Sequence, residues 1–371
     1  METKKMVLVG AACLLAVCFL WTGAPCWSQA TPSEAKQQLA ELGDFKLRSG
    51  EIIQDFRLGY RTAGQLNAEK SNAILWPSWL GGNSQQLLEY VGPKNVVDTE
   101  RYFVVLVDAI GNGVSSSPSN SEKQPGKTFP EFTIRDMVEA EHRLLTEVFH
   151  LTHLRAVIGI SMGGMQTFEW AAAYPNFMDE VIPIMGSPQS TAYDKLLWTA
   201  QIDAIELDPA WNNGEPKGPL GKGLALSEEI GSMSATSPEY RVAHTETADF
   251  DAFLKDLRAH ARGDGGSAWN QIRQRQAIMA LDIPKEFGMS MEQAAKSIRA
   301  KMLVIISPED HTVKPIPAKQ FAAVLGAPVV TLNSSCGHAG PSCVSLGPTV
   351  AKFLEDPAAV RSETLGETSK Q

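Results

Sequence analysis

A serine lies at the centre of the segment Gly159-Ile160-Ser161-Met162-Gly163, whose glycine spacing is typical of a nucleophile on a sharp turn. A continuous apolar run, 156–160, precedes it, and a helical pattern follows at once. Side chains two positions before or after the serine would crowd such a turn, which explains the glycines. The turn exposes the hydroxyl and directs the amide of Met162 at a substrate oxygen. The alternative interpretation is a tight turn without chemistry.

A serine hydroxyl needs a base to become a good nucleophile, and here a histidine is expected late in the chain. His338 follows the last predicted strand, in the segment 333–340. For a strand–serine–helix motif the usual chain order is nucleophile, acid, histidine. His311 stands beside the candidate acid and would be in the wrong order, so His338 is the predicted base.

The acid that orients the histidine should follow the strand predicted at 302–306. Glu309 and Asp310 both qualify by position. Asp310 is preferred because Pro315 follows it at a spacing usual for such loops. Its role would be to fix the imidazole tautomer and to stabilise imidazolium.

A second oxyanion donor is expected in the loop 77–83, which follows the strand predicted at 73–76. Gly81 and Gly82 allow a close backbone approach there. The amide of Leu80 is the best candidate, and that of the neighbouring Trp79 is the alternative. A phosphate-binding loop is a rival interpretation, but the lysine of that motif is absent.

The elements that must position these residues alternate between apolar strands and helical patterns. The predicted strands are continuous rather than alternating, as in strands buried on both faces of a parallel sheet: 73–76, 103–107, 156–160, 181–185, 302–306 and 329–332. This rhythm predicts a doubly wound, mostly parallel sheet flanked by helices. Together with the strand–serine–helix turn, it indicates an α/β-hydrolase fold. A hairpin over 45–62 is expected at the sheet edge.

The chain divides into five parts on composition. Residues 1–30 have the charged start, short apolar run and small-residue end of a signal peptide, and an uncleaved anchor is the alternative. The hydrolase core is predicted at 31–186 and 300–355, a helical lid at 187–299 and a flexible tail at 356–371. We therefore expect an exported protein, periplasmic or secreted, without a stable membrane anchor after cleavage.

Charge and cysteines limit the partners. The net charge of −9 disfavours nucleic acid as a partner. Beyond the signal only Cys336 and Cys343 remain, and export favours a disulfide between them. Two free thiols are the alternative. The assembly is undetermined, and a homodimer is one form that the sequence allows.

The sequence resembles the homoserine O-acetyltransferase family of α/β-hydrolases. The matching segments include 72–75, 108–113, 128–130, 132–138, 161–166 and 208–212, with those around Asp310 and His338. The resemblance implies the same fold, triad and lid. In this family an arginine of the first lid helix binds the homoserine carboxylate, and an aspartate after the histidine binds the amine. Here the stretch 201–205 has no arginine, and Ala339 follows His338.

These features predict a serine hydrolase of carboxylic esters or related acyl compounds, with a small-molecule substrate and no metal or cofactor. Ser161, His338 and Asp310 would form the triad, and the amides of Leu80 and Met162 the oxyanion hole. The main alternative is a CoA-dependent O-acyltransferase, because both reactions share an acyl-enzyme. A non-catalytic binding protein on this fold is the alternative of another class.

Overall fold

The computed structural model describes residues 35–261 and 265–367, so the expected signal peptide lies outside the described residues. Ten strands form a single sheet: β1 (Gln38–Lys46), β2 (Ile52–Ala63), β3 (Ala73–Pro77), β4 (Phe103–Val107), β5 (Leu154–Ile160), β6 (Met178–Ile184), β7 (Lys301–Met302), β8 (Val304–Ile306), β9 (Val329–Asn333) and β10 (Glu363–Gly366).

The sheet is mostly parallel, in the order β1-β2-β4-β3-β5-β6-β8-β9-β10, and the short β7 pairs with β6. β1 and β2 form the antiparallel hairpin at one edge, and β2 also runs antiparallel to β4. Every residue of β3 and β4 is buried, because helices cover both faces of the sheet. The predicted α/β-hydrolase architecture is confirmed.

Twelve α-helices are found in the described residues: α1 (Ser84–Leu87), α2 (Ile134–Arg143), α3 (Met162–Ala173), α4 (Ala192–Glu206), α5 (Gly221–Ala235), α6 (Pro238–His244), α7 (Phe250–His260), α8 (Gly265–Ala280), α9 (Ile283–Glu286), α10 (Met291–Ser297), α11 (Ile316–Leu325) and α12 (Gly347–Glu355). Apolar residues of α2, α3, α10 and α11 share one core layer. Those of α1 and α12 belong to the layer on the opposite face.

The chain between β6 and β7 is helical, in the place expected for the lid. Its outer part has a small core of its own, centred on Trp211 and Trp269, whose rings lie 4.9 Å apart. The lid ends earlier in the chain than the expected boundary at residue 299. Ile283 of α9 and Ala294 of α10 lie in the main core, so these short helices pack with the hydrolase layers rather than with the lid.

The expectation of a flexible tail at 356–371 was wrong for the part that the structure describes. β10 pairs in parallel with β9, and Leu365 stands opposite Leu332. Glu367 then accepts a hydrogen bond from the Ser334 hydroxyl at 2.9 Å. The strand is short and mostly exposed, as is usual for edge strands, whose polar character limits pairing with other chains. Among the described residues, no helix is long and apolar enough to cross a bilayer.

Candidate active site

Ser161 occupies a strained turn between β5 and α3. Its φ of 58° and ψ of −121° lie outside the regions that most residues adopt. A Cβ atom on Gly159 would stand 2.1 Å from the carbonyl oxygen of Gly163, and one on Gly163 would stand 2.5 Å from that of Pro77, so neither glycine position has room for a side chain. The Ser161 amide donates to the carbonyl of Ile184 at 2.9 Å, which ties the turn to β6. Backbone contacts therefore hold the main chain of the serine in place.

The structure brings Ser161, His338 and Asp310 together from three distant parts of the chain. His338 Nε2 lies 2.8 Å from Ser161 Oγ, and His338 Nδ1 lies 2.7 Å from Asp310 Oδ2. With the carboxylate ionised, Nδ1 carries the proton and Nε2 is free to accept one from the hydroxyl. This arrangement can activate a hydroxyl for attack on an acyl carbon.

Asp310 is almost fully buried and is held by the loop that contains it. Its Oδ1 accepts the amides of Thr312 and Val313, both at 2.8 Å, which leaves Oδ2 for the histidine. Glu309, the other candidate acid, has a half-exposed side chain that approaches His311 at 4.0 Å instead. The geometry therefore places Asp310, and not Glu309, against His338.

The loop that carries His338 is closed by a disulfide between Cys336 and Cys343, whose Cα atoms lie 6.5 Å apart. Between them residues 337–342 form a short 3₁₀ helix. The loop also touches the lid, because the Ser237 amide donates to the Ser335 carbonyl at 3.1 Å. Gly337 has a φ of 58°, and a Cβ there would stand 2.9 Å from the Glu309 carbonyl oxygen. The histidine loop thus packs against both the lid and the acid loop.

The two predicted oxyanion donors come from adjacent elements. Met162 is the first residue of α3, where amides have no partner within the helix. Leu80 lies in the loop after β3, and its amide donates to no residue that the structure describes. Gln166 of α3 holds this loop through a 3.1 Å hydrogen bond to the Ser78 carbonyl. Neither amide donates to a described residue, so both are free to bind a substrate oxygen.

Gln274 of α8 is a site residue that sequence reasoning missed. Its Oε1 accepts the Gly81 amide at 2.9 Å, and its Nε2 donates to the Ile110 carbonyl at 2.9 Å. It therefore joins the loop of Leu80 to the loop after β4. No sequence signal could have found it, because it lies 193 residues from its first partner in a helix with several other amides.

A cavity of about 720 Å³ opens between the lid and the sheet, beside His338. Leu80 and Trp79 lie on its core side, and Gln201 of the first lid helix lies on its lid side. Its acidic and basic lining residues, apart from the histidine, are Arg275 of α8 and Glu228 of α5. Sequence reasoning expected no arginine on the first lid helix, and it missed that another lid helix supplies one. Among the described residues, no group of three or more acidic, histidine or cysteine side chains could hold a metal ion.

The chain is similar in sequence and in fold to known hydrolases and acyltransferases. The profile of the alpha/beta hydrolase fold family matches residues 80–338. A probable esterase of Corynebacterium glutamicum is 30% identical, over 86% of this chain and 95% of that protein. A homoserine O-acetyltransferase of Geotalea daltonii is 30% identical, over 80% of this chain and 90% of the transferase. The solved structure of an acetylester hydrolase from Corynebacterium glutamicum matches with a TM-score of 0.77 and 28% identity, over 86% of this chain and 96% of that chain.

Proposed function

Because the chain belongs to the alpha/beta hydrolase fold family, as a relative of homoserine O-acetyltransferases and esterases, we propose that it is an exported serine hydrolase of carboxylic esters or similar acyl compounds. The observation that carries the proposal is the continuous hydrogen-bonded series from Ser161 Oγ through His338 to Asp310, at 2.8 and 2.7 Å. The cavity beside His338 has the size of a small-molecule site.

The reaction has two halves. Ser161 Oγ bonds to the acyl carbon while His338 Nε2 takes the hydroxyl proton. His338 then gives that proton to the leaving alcohol as the ester bond breaks. In the second half, water loses a proton to His338 and its oxygen bonds to the acyl carbon. The bond from that carbon to Ser161 Oγ then breaks as His338 returns the proton to Oγ, which releases the acid and restores the serine. Asp310 stabilises the imidazolium in both halves, and no group is oxidised or reduced.

The amides of Met162 and Leu80 would hold the oxygen that becomes negative in each tetrahedral intermediate. Both are fixed before substrate arrives, Met162 by the α3 turn and Leu80 by a loop held by Gln166 and Gln274. Donors that need no rearrangement stabilise developing charge most effectively.

Acyl transfer to an alcohol such as homoserine is the second candidate, supported by the transferase relatives. The position after His338 is Ala339, which offers no carboxylate for a substrate amine. A charge-assisted hydrogen bond of this kind is worth roughly 1.5–3 kcal/mol. Water is therefore the acceptor that we favour, and homoserine acetylation should be negligible.

The test compares hydrolysis of p-nitrophenyl acetate with acetyl-CoA-dependent formation of O-acetylhomoserine by the same purified protein. Ser161→Ala should lower kcat for ester hydrolysis by a factor on the order of a million, with unchanged thermal unfolding. A fluorophosphonate probe should label Ser161 alone. Labelling of another serine, or efficient O-acetylhomoserine formation at millimolar homoserine, would contradict the proposal.

Export is proposed from the sequence of residues 1–30 alone, with cleavage after Ala30. The test is expression of the whole chain in a Gram-negative host, followed by fractionation and N-terminal sequencing. A mature protein that begins at Thr31 in the periplasm or medium is expected. An uncleaved protein in the membrane fraction would identify the apolar run as an anchor instead.

A further inference from the structure

Arg275 is an arginine in the wall of the cavity beside His338. Arg275 is on α8, and only 6% of its surface is exposed. It lines the same 720 Å³ cavity as His338 and Leu80. A buried cation in a proposed acyl site requires an explanation, because a charge removed from water is costly unless it is paired.

All hydrogen-bond partners of Arg275 in the described part of the chain are neutral. Nε donates to Gln201 Oε1 at 3.0 Å. Nη1 donates to the carbonyl and to Oε1 of Gln271, both at 3.2 Å. Nη2 donates to no described residue, and it is not sealed from solvent. Trp198 lies against the guanidinium at 5.9 Å from the ring centroid.

Arg273, on the same helix, is a buried arginine whose charge and hydrogen-bond donors have partners. It pairs with Glu131 at 3.1 Å and donates to the carbonyls of Phe129 and Lys127 at 3.0 and 3.1 Å. By contrast, no carboxylate of the described residues lies within 4.0 Å of the Arg275 guanidinium. Burial lowers the pKa of Arg275 to about 10, so it stays protonated at neutral pH. Glu228 offsets this charge in part through space, but no carboxylate of the described residues is paired with the guanidinium.

We propose that Arg275 is a subsite for the carboxylate group of an anionic ester, which Nη2 binds while Ser161 attacks the ester carbon. The inference rests on the proposed hydrolase function and names its substrate class: a half-ester of a dicarboxylic acid, or an acyl ester of a hydroxy acid. A singly charged carboxylate fits better than a phosphate dianion, because one guanidinium is the only permanent cation among the described lining residues.

The other charged groups at the cavity are consistent with this assignment. Glu228 of α5 also lines the cavity and is exposed to solvent, so water screens its repulsion of an anion. His338 is neutral in the state that accepts the serine proton. Gln201 and Gln271 fix the guanidinium without neutralising it, as a preorganised anion site requires.

The experiment uses two matched pairs of esters. Monoethyl succinate and ethyl succinamate differ only in a carboxylate on the acyl half. 4-Acetoxybenzoate and 4-acetoxybenzamide differ only in a carboxylate on the alcohol half. We expect the unaltered protein to prefer the anion in at least one pair. Arg275→Met should lower the ratio of kcat/KM for anion over amide by roughly 10- to 100-fold, as expected for loss of a charge-assisted hydrogen bond.

Arg273→Met is the matched control, since it removes a buried arginine of the same helix that does not line the cavity. It should leave the anion-to-amide ratio unchanged, and Glu228→Gln should not lower it. An unchanged ratio in Arg275→Met, with equal losses on both esters, would overturn the subsite and leave the hydrolase function standing. Absence of hydrolysis of all four esters and of p-nitrophenyl acetate would overturn the function itself.

If Arg275→Met does not fold, a measurement on the unaltered protein replaces it. Benzoate and benzamide are compared as inhibitors of p-nitrophenyl acetate hydrolysis, and salt is varied at constant pH. Stronger competitive inhibition by benzoate that weakens with added salt supports the subsite. Equal inhibition by both compounds contradicts it.

Discussion

Gly163 and Pro77 lie so close together that a Cβ atom on Gly163 would stand 2.5 Å from the Pro77 carbonyl oxygen. Gly163 is in the first turn of α3, two residues after the nucleophile, and Pro77 ends β3. Backbone thus fills the space between the two elements that carry the proposed oxyanion donors. Their separation is fixed by contact rather than by side chains that could adjust.

Gly163→Ala should therefore damage catalysis more than folding. We expect kcat/KM for p-nitrophenyl acetate to fall by roughly 100- to 1000-fold, the effect of losing one oxyanion donor. Thermal unfolding should show a destabilisation of about 1–3 kcal/mol. Gly221→Ala is the control, because a Cβ on Gly221 meets no atom within 4 Å. Full activity of Gly163→Ala would show that the contact does not position the donors.

The assignment of the acid can be tested with two neighbouring variants. Asp310→Asn should lower kcat by roughly 10⁴-fold, because an amide facing Nδ1 favours the wrong imidazole tautomer. Glu309→Gln should change kcat by less than about 3-fold, since its side chain is half-exposed and away from His338. Steady-state kinetics at a fixed pH measures both. The reverse order of effects would assign the role to Glu309.

The disulfide that encloses the histidine loop should affect stability and activity together. Replacing Cys336 and Cys343 by serine should lower the free energy of unfolding by about 2–3 kcal/mol in the chain-entropy account. The kcat for esters should also fall, because His338 must stay within hydrogen-bond reach of Ser161. Denaturant unfolding and mass spectrometry of non-reduced peptides are the measurements. Both cysteines alkylated without reduction, in fully active protein, would remove this role.

Glu141 should make the folded state less stable as pH rises. It is fully buried, accepts from Trp170 Nε1 at 2.6 Å, and burial raises its pKa from 4.5 to about 8. The folded protein therefore keeps a proton that the unfolded chain releases, so this group costs stability as pH rises from about 4.5 to 8.

Glu141→Gln should consequently gain stability over the unaltered protein at pH 8.5, by about 1–4 kcal/mol, and much less at pH 5. Glutamine keeps an acceptor for Trp170. Glu147→Gln is the control, because Arg143 holds the pKa of that exposed carboxyl below its usual value. Thermal unfolding across pH measures both variants. An equal gain at pH 5 and pH 8.5 would refute the titration of Glu141 as the cause.

The sequence predicts those parts of the molecule where short-range pattern and chemistry agree. The buried strands are continuous apolar runs, and the turn at Ser161 is specified by glycines with no room for a side chain. Because the acid and the histidine follow the serine in the chain, few residues remain as candidates for these two roles. Asp310 and Glu309 were separated only by a spacing argument, and the structure distinguishes them by contact.

The parts that the sequence did not reveal depend on contacts between distant residues. Arg273 and Arg275 have the same residue type on one helix, and only their partners tell which is satisfied by the core and which lines the cavity. Leu365 is one apolar residue in a polar segment, and pairing with β9 makes that segment a strand. The spacing of hydrophobic residues along the chain predicts neither the surroundings of these arginines nor this strand.

The attachment of α8 to the core has a consequence for attempts to broaden the substrate range by directed evolution. Asn270, Arg273 and Gln274 fasten this helix to Ser119, to Phe129 and to the Leu80 loop. Randomising that face would disturb the active-site framework. The facing wall, on α5, presents the small residues Gly231, Ser232, Ser234 and Ala235 to the cavity. Ser234 accepts a hydrogen bond from Thr312 of the Asp310 loop, and a Cβ on Gly231 would stand 2.7 Å from Gln201 Nε2. Libraries confined to Ser232 and Ala235 can therefore reshape the pocket while the framework stays intact.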